Sequence, residues 1–541
     1  MQTRVVVYSR LVKYLASAAL AVSGAALGWR ALSGPFHFLS LPVDSALNAE
    51  SVFGLSATVL LLLKGEPRQP AEQREIRHSV FWLLAIILVT AAALWGSLSF
   101  PLVFDDYTLV RQARDMRPAS LEYSFTHPGG DGFFRPLGSL SLHLDALWGS
   151  QNPFSWHVTG VALHMINIVL VWLLADRFLT DRVTALWAAA VFAVHGTVLL
   201  TPSYLAARFD VLSVFLVLTG LVLFLRYLDG GHRPLLAASF GCMLSALLTK
   251  ETAFVFPFLA ALIGGRRAWT HRRALIGFLS LAVTVFAYRY ALFGGIGGYR
   301  DEKTGAPAVL SATYLGYLKG FGLRIWSAFY FPVNWRHEPR GSFVVMLLVY
   351  MGALAWMATR LHRDRRELML ALAFTGIALL PVAHLLLVDD SLLGAGRFYL
   401  ALTGFAMFMA VAVRASGKPM QVLAGTLLLG FHLAALRHNL AIWGEVAALA
   451  DRTCAKAATT LPDSSDGSVI TGLPREIDGI PFLANGFEAC VAFHKNPLQG
   501  SPSAHHPGFC WDPRVREIVP KQGISGEGLV QKDHAAWSSF P

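Results

Sequence analysis

Long apolar runs broken by short basic clusters set the pattern of this chain. A bilayer core takes roughly 17–25 apolar residues per helix. Runs of that kind fall near 11–32, 49–64, 79–100, 157–175, 183–200, 209–228, 274–293, 342–359, 367–388, 396–413 and 419–437. Two further runs, 234–249 and 252–265, are short for a span. Joined, they would make one span that is too long and would put the basic clusters at its two ends on opposite sides. They are read as a short helical hairpin with Lys250-Glu251 at its tip. The pattern predicts an all-α polytopic membrane protein of about 13 transmembrane helices.

Charge gives this frame a direction. The basic clusters are Arg4/Arg10, Arg68/Arg74/Arg77, Arg177/Arg182, Arg226/Arg233, Arg266/Arg267/Arg272/Arg273, Arg360/Arg363/Arg365/Arg366 and Arg414/Lys418. With the spans above, all fall on one side, which the positive-inside rule makes cytoplasmic. The N terminus is then expected inside and the C terminus outside, in a multi-pass protein of a bacterial inner membrane. The first apolar run has no clear cleavage site and is read as a retained span. Outward loops are 101–156, 201–208, 294–341 and 389–395, with the tail after 438 on the same side.

Three parts are expected: an N-terminal transmembrane extension (1–78), a transmembrane catalytic domain (79–438) and a small extracytoplasmic C-terminal domain (439–541), α/β or irregular. The tail turns rich in Pro, Gly, Ser and Asp and holds Cys454, Cys490 and Cys510. In an oxidising compartment two of these are expected to pair, and Cys490 with Cys510 is the pairing expected.

Composition narrows the function classes. The 541 residues are 55% hydrophobic and only 15% charged, against about 25% charged in soluble domains. The formal charge of +11 sits in the inter-span clusters, so a nucleic-acid partner is not expected. No Cys/His metal spacing, phosphate-binding Gly-rich loop or nucleophile elbow is present. A divalent metal is compatible with the chemistry but not indicated, and no cofactor is identified with certainty.

Ionisable residues in such a chain are costly and point to function. Asp105-Asp106 follows the third run and offers a carboxylate base, although one Asp at that place also serves as a helix N-cap for 107–116. The stretch 137–148 reads as an interfacial helix anchored by Trp148, downstream of Arg135. Arg208 and Asp210, near His195, either brace a helix end or form an anion site. Lys250 and Glu251 either pair with each other or aim the lysine at a phosphate. Arg397 and Tyr399, after His384 and Asp389-Asp390, either anchor the chain at the surface or meet a ligand past Gly394 and Gly396. All four sets face outward under the topology above. Together they suit attack on a sugar phosphate, in which a base deprotonates the acceptor hydroxyl and cations stabilise the departing phosphate.

At these residues the chain resembles the GT-C glycosyltransferases, and within them the protein O-mannosyltransferase superfamily, in particular the transmembrane O-mannosyltransferases that carry TPR repeats. The resemblance lies in Phe104-Asp105-Asp106; Phe134-Arg135-Pro136-Leu137; Trp156-His157; His164 to Asn167; Phe192 to His195; Ala207 to Leu212; Leu248 to Thr252; and Gly396 to Leu400. It implies a polyprenyl- or dolichyl-phosphate sugar donor, inverting transfer to a lipid, glycan or protein acceptor, and Asp105 as general base, with Asp106 beside it. Arg208, Lys250 and Arg397 are the expected phosphate ligands, supported by Arg135, His195, Asp210, Glu251 and Tyr399. The family pattern has Pro after the His and an acid five positions beyond it; here Gly196 and Leu200 stand there, and the TPR repeats are absent. A bacterial relative fits this better than a eukaryotic enzyme. A transporter or flippase of a lipid-linked sugar, and an inactive scaffold, are the competing readings. A transporter is expected to show repeated halves and helices broken at mid-membrane.

Overall fold

The computed structural model describes residues 2–33, 36–38, 41–43, 47–63, 76–127, 132–148, 152–179, 181–298, 300, 305–311, 320, 324–337, 341–360, 365–385, 392–416, 418–460, 470–495, 509–512 and 517–520. Among them helix dominates. The first helices are α1 (Gln2–Ser33), α2 (Leu47–Leu63) and α3 (Ile76–Leu94), with a hairpin of β1 (Phe36–Phe38) and β2 (Leu41–Val43) after α1. Three short helices then lie outside the spans: α4 (Asp106–Asp115), α5 (Pro118–Thr126) and α6 (Pro136–Trp148). The bundle continues with α7 (Pro153–Phe178), α8 (Arg182–Val194), the short α9 (Leu200–Ser203), α10 (Arg208–Gly230), α11 (Arg233–Leu247), α12 (Phe256–Thr270) and α13 (Arg272–Phe293). It closes with α14 (Ala308–Ser311), α15 (Ile325–Tyr330), α16 (Ser342–Arg360), α17 (Arg365–Leu379), α18 (Tyr399–Ala415), α19 (Lys418–Thr460) and α20 (Phe487–His494).

Local chemistry sets the ends of these helices. Asn152 caps α7 by accepting the Phe154 N–H, ahead of Pro153 in the first turn, and Asp181 caps α8 through the Thr184 N–H. Gly231 and Gly294 close α10 and α13 in the left-handed region, at φ 68° and 62°. Among the described residues, the expected apolar runs are largely helical. Eight of the described helices are long and apolar enough to cross a membrane, or nine if the bent pair Arg182–Val194 and Gly196–Ser203 is one span, and Ala49–Leu60, Arg233–Leu247 and Ser342–Ala358 are shorter apolar helices. The hairpin expected at 234–265 forms: α11 stops at Leu247, and Lys250-Glu251 turns the chain into α12. The post at the centre of the bundle is α18, buried at every residue from Tyr399 to Arg414; it packs on α8 and α17.

Helix α19 runs unbroken for 43 residues to Thr460, beyond the expected end of the last apolar run near 437. One expectation for the tail is corrected. The disulfide joins Cys454 on that extension to Cys490 on α20, a separation of 36 residues, and not Cys490 to Cys510. The long helix carries Cys454 to α20, which sequence spacing did not reveal. The rest of the tail is small and mixed. Strands β3 (Ile470–Thr471), β6 (Phe509–Asp512) and β7 (Glu517–Pro520) form a sheet ordered β3-β6-β7, with β3 parallel to β6 and β6 antiparallel to β7. Strands β4 (Glu476–Ile477) and β5 (Ile480–Pro481) form a hairpin turned by Asp478-Gly479, both at positive φ (50° and 73°), as a two-residue hairpin turn requires.

Candidate active site

Phe104 introduces the carboxylate pair in a left-handed conformation (φ 55°), unusual for a bulky residue. This turn sets Asp105 at the N-cap of α4 and Asp106 in its first turn. The two acids then diverge. Asp105 makes no capping hydrogen bond and stays half-buried. Its Oδ2 accepts the Tyr204 hydroxyl at 2.8 Å, and its Oδ1 accepts the side-chain amide of Asn485. Asp106 is wholly buried. Its Oδ1 accepts the Leu205 N–H at 2.8 Å, and Oδ2 lies 3.4 Å from the Val103 N–H. Burial, above all, pushes the Asp106 carboxyl well above the usual range, against the lowering effect of those backbone donors and with a smaller raising contribution from Asp105. Asp106 ties the 204–205 turn to α4; Asp105 is the acid presented at the surface of the corner.

The basic residues expected to meet a phosphate are engaged within the protein. Arg208, 2% exposed at the start of α10, donates to Asp145 Oδ2 at 2.7 Å, to the Trp156 carbonyl at 2.7 Å and to Ser141 at 3.4 Å. Asp145, on α6, also accepts the Thr159 hydroxyl at 2.7 Å. Neither bland pairing expected from sequence forms. Arg208 pairs with Asp145, not Asp210; Asp210 pairs with Lys250 at 2.5 Å, not Lys250 with Glu251. Glu251 binds Arg135 at 2.9 Å and Arg289 at 3.0 Å. Burial pushes the Glu251 carboxyl up, but the two guanidiniums overcome this and hold it at about 2. Burial, the largest influence on Lys250, draws its ammonium below the usual lysine range despite Asp210. Arg135 also lies over the Phe133 ring, 4.0 Å from its centroid.

Three expected site residues are placed as follows. His195 is buried, donates or accepts through Nδ1 at Thr197 (2.8 Å), meets the Phe329 carbonyl through Nε2 (2.8 Å), and stacks on His432 with centroids 4.5 Å apart. Tyr399 is buried with His164 (2.6 Å) and Asn167 (3.3 Å). Both lie in the core of the bundle, hydrogen-bonded within the protein. Arg397 is half-buried, with Nη1 donating to the Leu385 carbonyl at 3.3 Å. Asp389-Asp390 lie outside the described residues. The elements themselves converge: α4 meets the Leu205–Ala207 turn, that turn meets α9 and α10, α9 meets the 393–398 helical turn, and the Glu251–Val255 turn meets α10 and the 380–385 turn.

No family profile matches the chain. Among curated proteins, it is 34% identical over 134 residues to the protein O-mannosyl-transferase Tmtc1 of Drosophila melanogaster, covering 25% of this chain and 16% of that one. It is 28% identical over 211 residues to the protein O-mannosyl-transferase TMTC1 of Homo sapiens, covering 35% and 24%. Over these stretches the chain is similar in sequence to protein O-mannosyl-transferases. It spans less than a quarter of the length of these two relatives in the matched region. Among solved structures, ArnT of Cupriavidus metallidurans bound to undecaprenyl phosphate aligns with TM-score 0.41 and 15% identity, covering 80% of this chain and 93% of that one. An oligosaccharyltransferase of Archaeoglobus fulgidus, tethered to an acceptor peptide, aligns with TM-score 0.38 and 12% identity, covering 79% and 61%. Likeness this loose carries no fold assignment by itself.

Four residues central to the geometry escaped the sequence reading as site members: Asp145, Tyr204, Arg289 and Asn485. Asp145 and Tyr204 stand in stretches adjacent to the recognised motifs, so their proximity was a usable signal. Arg289 sits inside an apolar run, where an ionisable residue is itself a signal. Asn485 carries none: it lies 380 positions from Asp105. Gly196 also has a structural reason to replace proline, since a Cβ there would come 2.4 Å from the Pro332 carbonyl oxygen.

Proposed function

We propose that the chain is a membrane glycosyltransferase that moves a sugar from a polyprenyl-phosphate donor to a lipid, glycan or protein acceptor at the outer face of the membrane. Asp105 acts as general base. It takes the proton of the acceptor hydroxyl as that oxygen attacks the anomeric carbon, and the polyprenyl phosphate leaves from the opposite side, which inverts the anomeric centre. The observation that carries this reading is the place of Asp105: a half-buried carboxylate at the head of α4 that accepts the Tyr204 hydroxyl and the Asn485 amide, beside a belt of ion pairs that bind one another. A carboxylate keeps further lone-pair sites for an acceptor hydroxyl.

Arg397 is the first contact for the donor phosphate, because it stands half-exposed at the head of the central helix. Arg208 and Lys250 reach a phosphate only by exchanging Asp145 and Asp210. They serve chiefly to fix the mouths of α10 and α11 around the donor. Asp106 supports the turn from below. The basic clusters put these residues on the extracytoplasmic side, together with the tail. Replacing Arg397 by Lys, which loses the planar fork, is expected to weaken donor binding about tenfold with the fold intact. Unchanged affinity of purified Arg397→Lys for a polyprenyl-phosphate hexose would remove it from the site.

A further inference from the structure

The C-terminal segment meets the catalytic corner directly. Gly486, at φ 82°, passes so close to the Phe104 carbonyl that a Cβ would lie 2.5 Å from its oxygen. Only glycine meets both demands, the left-handed backbone and the close approach. The preceding residue, Asn485, donates its side-chain amide to Asp105 Oδ1. The following helix, α20, is fastened on two sides. Cys490 is bonded to Cys454 on α19. Phe493 packs edge-on against Tyr107 of α4, with centroids 5.7 Å apart, and Arg114 lies 5.2 Å over the Phe493 ring. The contact with Asp105 is thus backed by a disulfide, an aromatic pair and a glycine that admits no side chain.

We propose that residues 483–494 belong to the active site and that Asn485 is a positioning residue for the Asp105 carboxylate. This rests on the reading of Asp105 as the general base. Tyr204 holds one oxygen and Asn485 the other, so these two neutral donors fix the carboxylate against rotation. An amide in this place orients the carboxylate by a hydrogen bond without adding a charge of its own. The tail therefore completes the corner that the transmembrane domain begins.

The test uses the full-length purified protein in wild-type, Asn485→Ala, Asp105→Asn and doubly substituted forms, with a polyprenyl-phosphate hexose as donor. Asn485→Ala is expected to lower kcat about tenfold, in keeping with the sensitivity of turnover to small misplacements, and to leave the donor KM unchanged. On the Asp105→Asn background the same substitution is expected to change residual turnover by less than about twofold, because the group it positions is gone. The carboxylate infrared band assigned by its loss in Asp105→Asn is expected to move in Asn485→Ala. A wild type that turns over, with equal losses on both backgrounds and an unmoved band, overturns the positioning role alone. A wild type that transfers no sugar ends the functional reading, and the catalytic role of Asn485 with it.

Discussion

The corner around Asp105 and the belt of ion pairs beside it are built from similar residues to opposite ends. In the belt, every carboxylate faces a cation: Asp145 with Arg208, Asp210 with Lys250, Glu251 with Arg135 and Arg289. In the corner, Asp105 accepts from a phenol and an amide, Tyr204 and Asn485. A buried carboxylate bound to a guanidinium or ammonium is a poor base, since its partner stabilises the ionised form. A phenol and an amide orient a carboxylate through neutral hydrogen bonds. A run of charged motifs along the outer ends of helices therefore does not mean that all of them meet the substrate. Most of them hold the walls in place, and the exception is recognised by its partners.

The largest effect expected in the belt comes from Arg208. Removing one partner of a buried ion pair costs about 3–5 kcal/mol, because the other is left buried and alone. Arg208→Ala is expected to lose most folded protein, as read by thermal unfolding in detergent, and Arg208→Met combined with Asp145→Leu to recover most of it. If Arg208→Ala folds normally and loses only donor affinity, Arg208 belongs with the substrate and the contrast collapses. Next is the disulfide. Closing a loop of 36 residues stabilises by about 4 kcal/mol on the chain-entropy account. Replacing Cys454 and Cys490 by Ala should release the tail, seen as faster amide exchange at 483–494, while the melting of the transmembrane helices changes little. Exchange that stays slow would show that the Phe493 contacts suffice.

How far the sequence foretold this contrast depends on the kind of signal. The helices were legible because a bilayer forces each span to be long and apolar, and hydropathy reads that directly. Even the short hairpin at Lys250 could be read, since charge sidedness excluded a single span. The charged residues that gather near the corner were legible as residue types. Their partners were not: Arg208 was weighed against Asp210, two residues along its own helix, yet finds Asp145 on another. Pairing is decided by how helices pack, which one-dimensional spacing does not encode. The tail was least legible. Helix α19 continues to Thr460 through a more polar sequence, and that continuation brings Cys454 to Cys490, whose helix α20 follows Asn485 at Asp105.

Gly486→Ala should have an effect of about 1–3 kcal/mol on docking of the tail, since both its φ and its contact with Phe104 exclude a side chain. Turnover is expected to fall with it, and an unaltered rate would separate the tail from the corner. The smallest effect concerns acid. Glu251, held at about 2 against an ordinary value near 4.5, contributes stability that is complete above the ordinary value and is lost as pH falls towards 2. Wild-type melting temperature should drop more steeply between pH 4.5 and 2 than that of Glu251→Gln, and parallel curves would deny the pairing its weight. Asp106, whose carboxyl is raised by burial, has the opposite sign: its contribution is complete at low pH and is lost as pH rises through its folded value. Asp106→Asn should therefore be tolerated best near neutrality and retain most turnover.

The most direct measurement takes Asp105→Asn and wild type, purified side by side, and follows donor binding and single-turnover transfer from a labelled polyprenyl-phosphate hexose on the same samples. The amide keeps the shape of the carboxylate but cannot take a proton, and a general base contributes typically about 10²–10⁴-fold. The expected result is equal donor affinity in both proteins with transfer reduced by at least about a hundredfold in Asp105→Asn. Near-normal transfer by Asp105→Asn would contradict the assignment of Asp105 as the base.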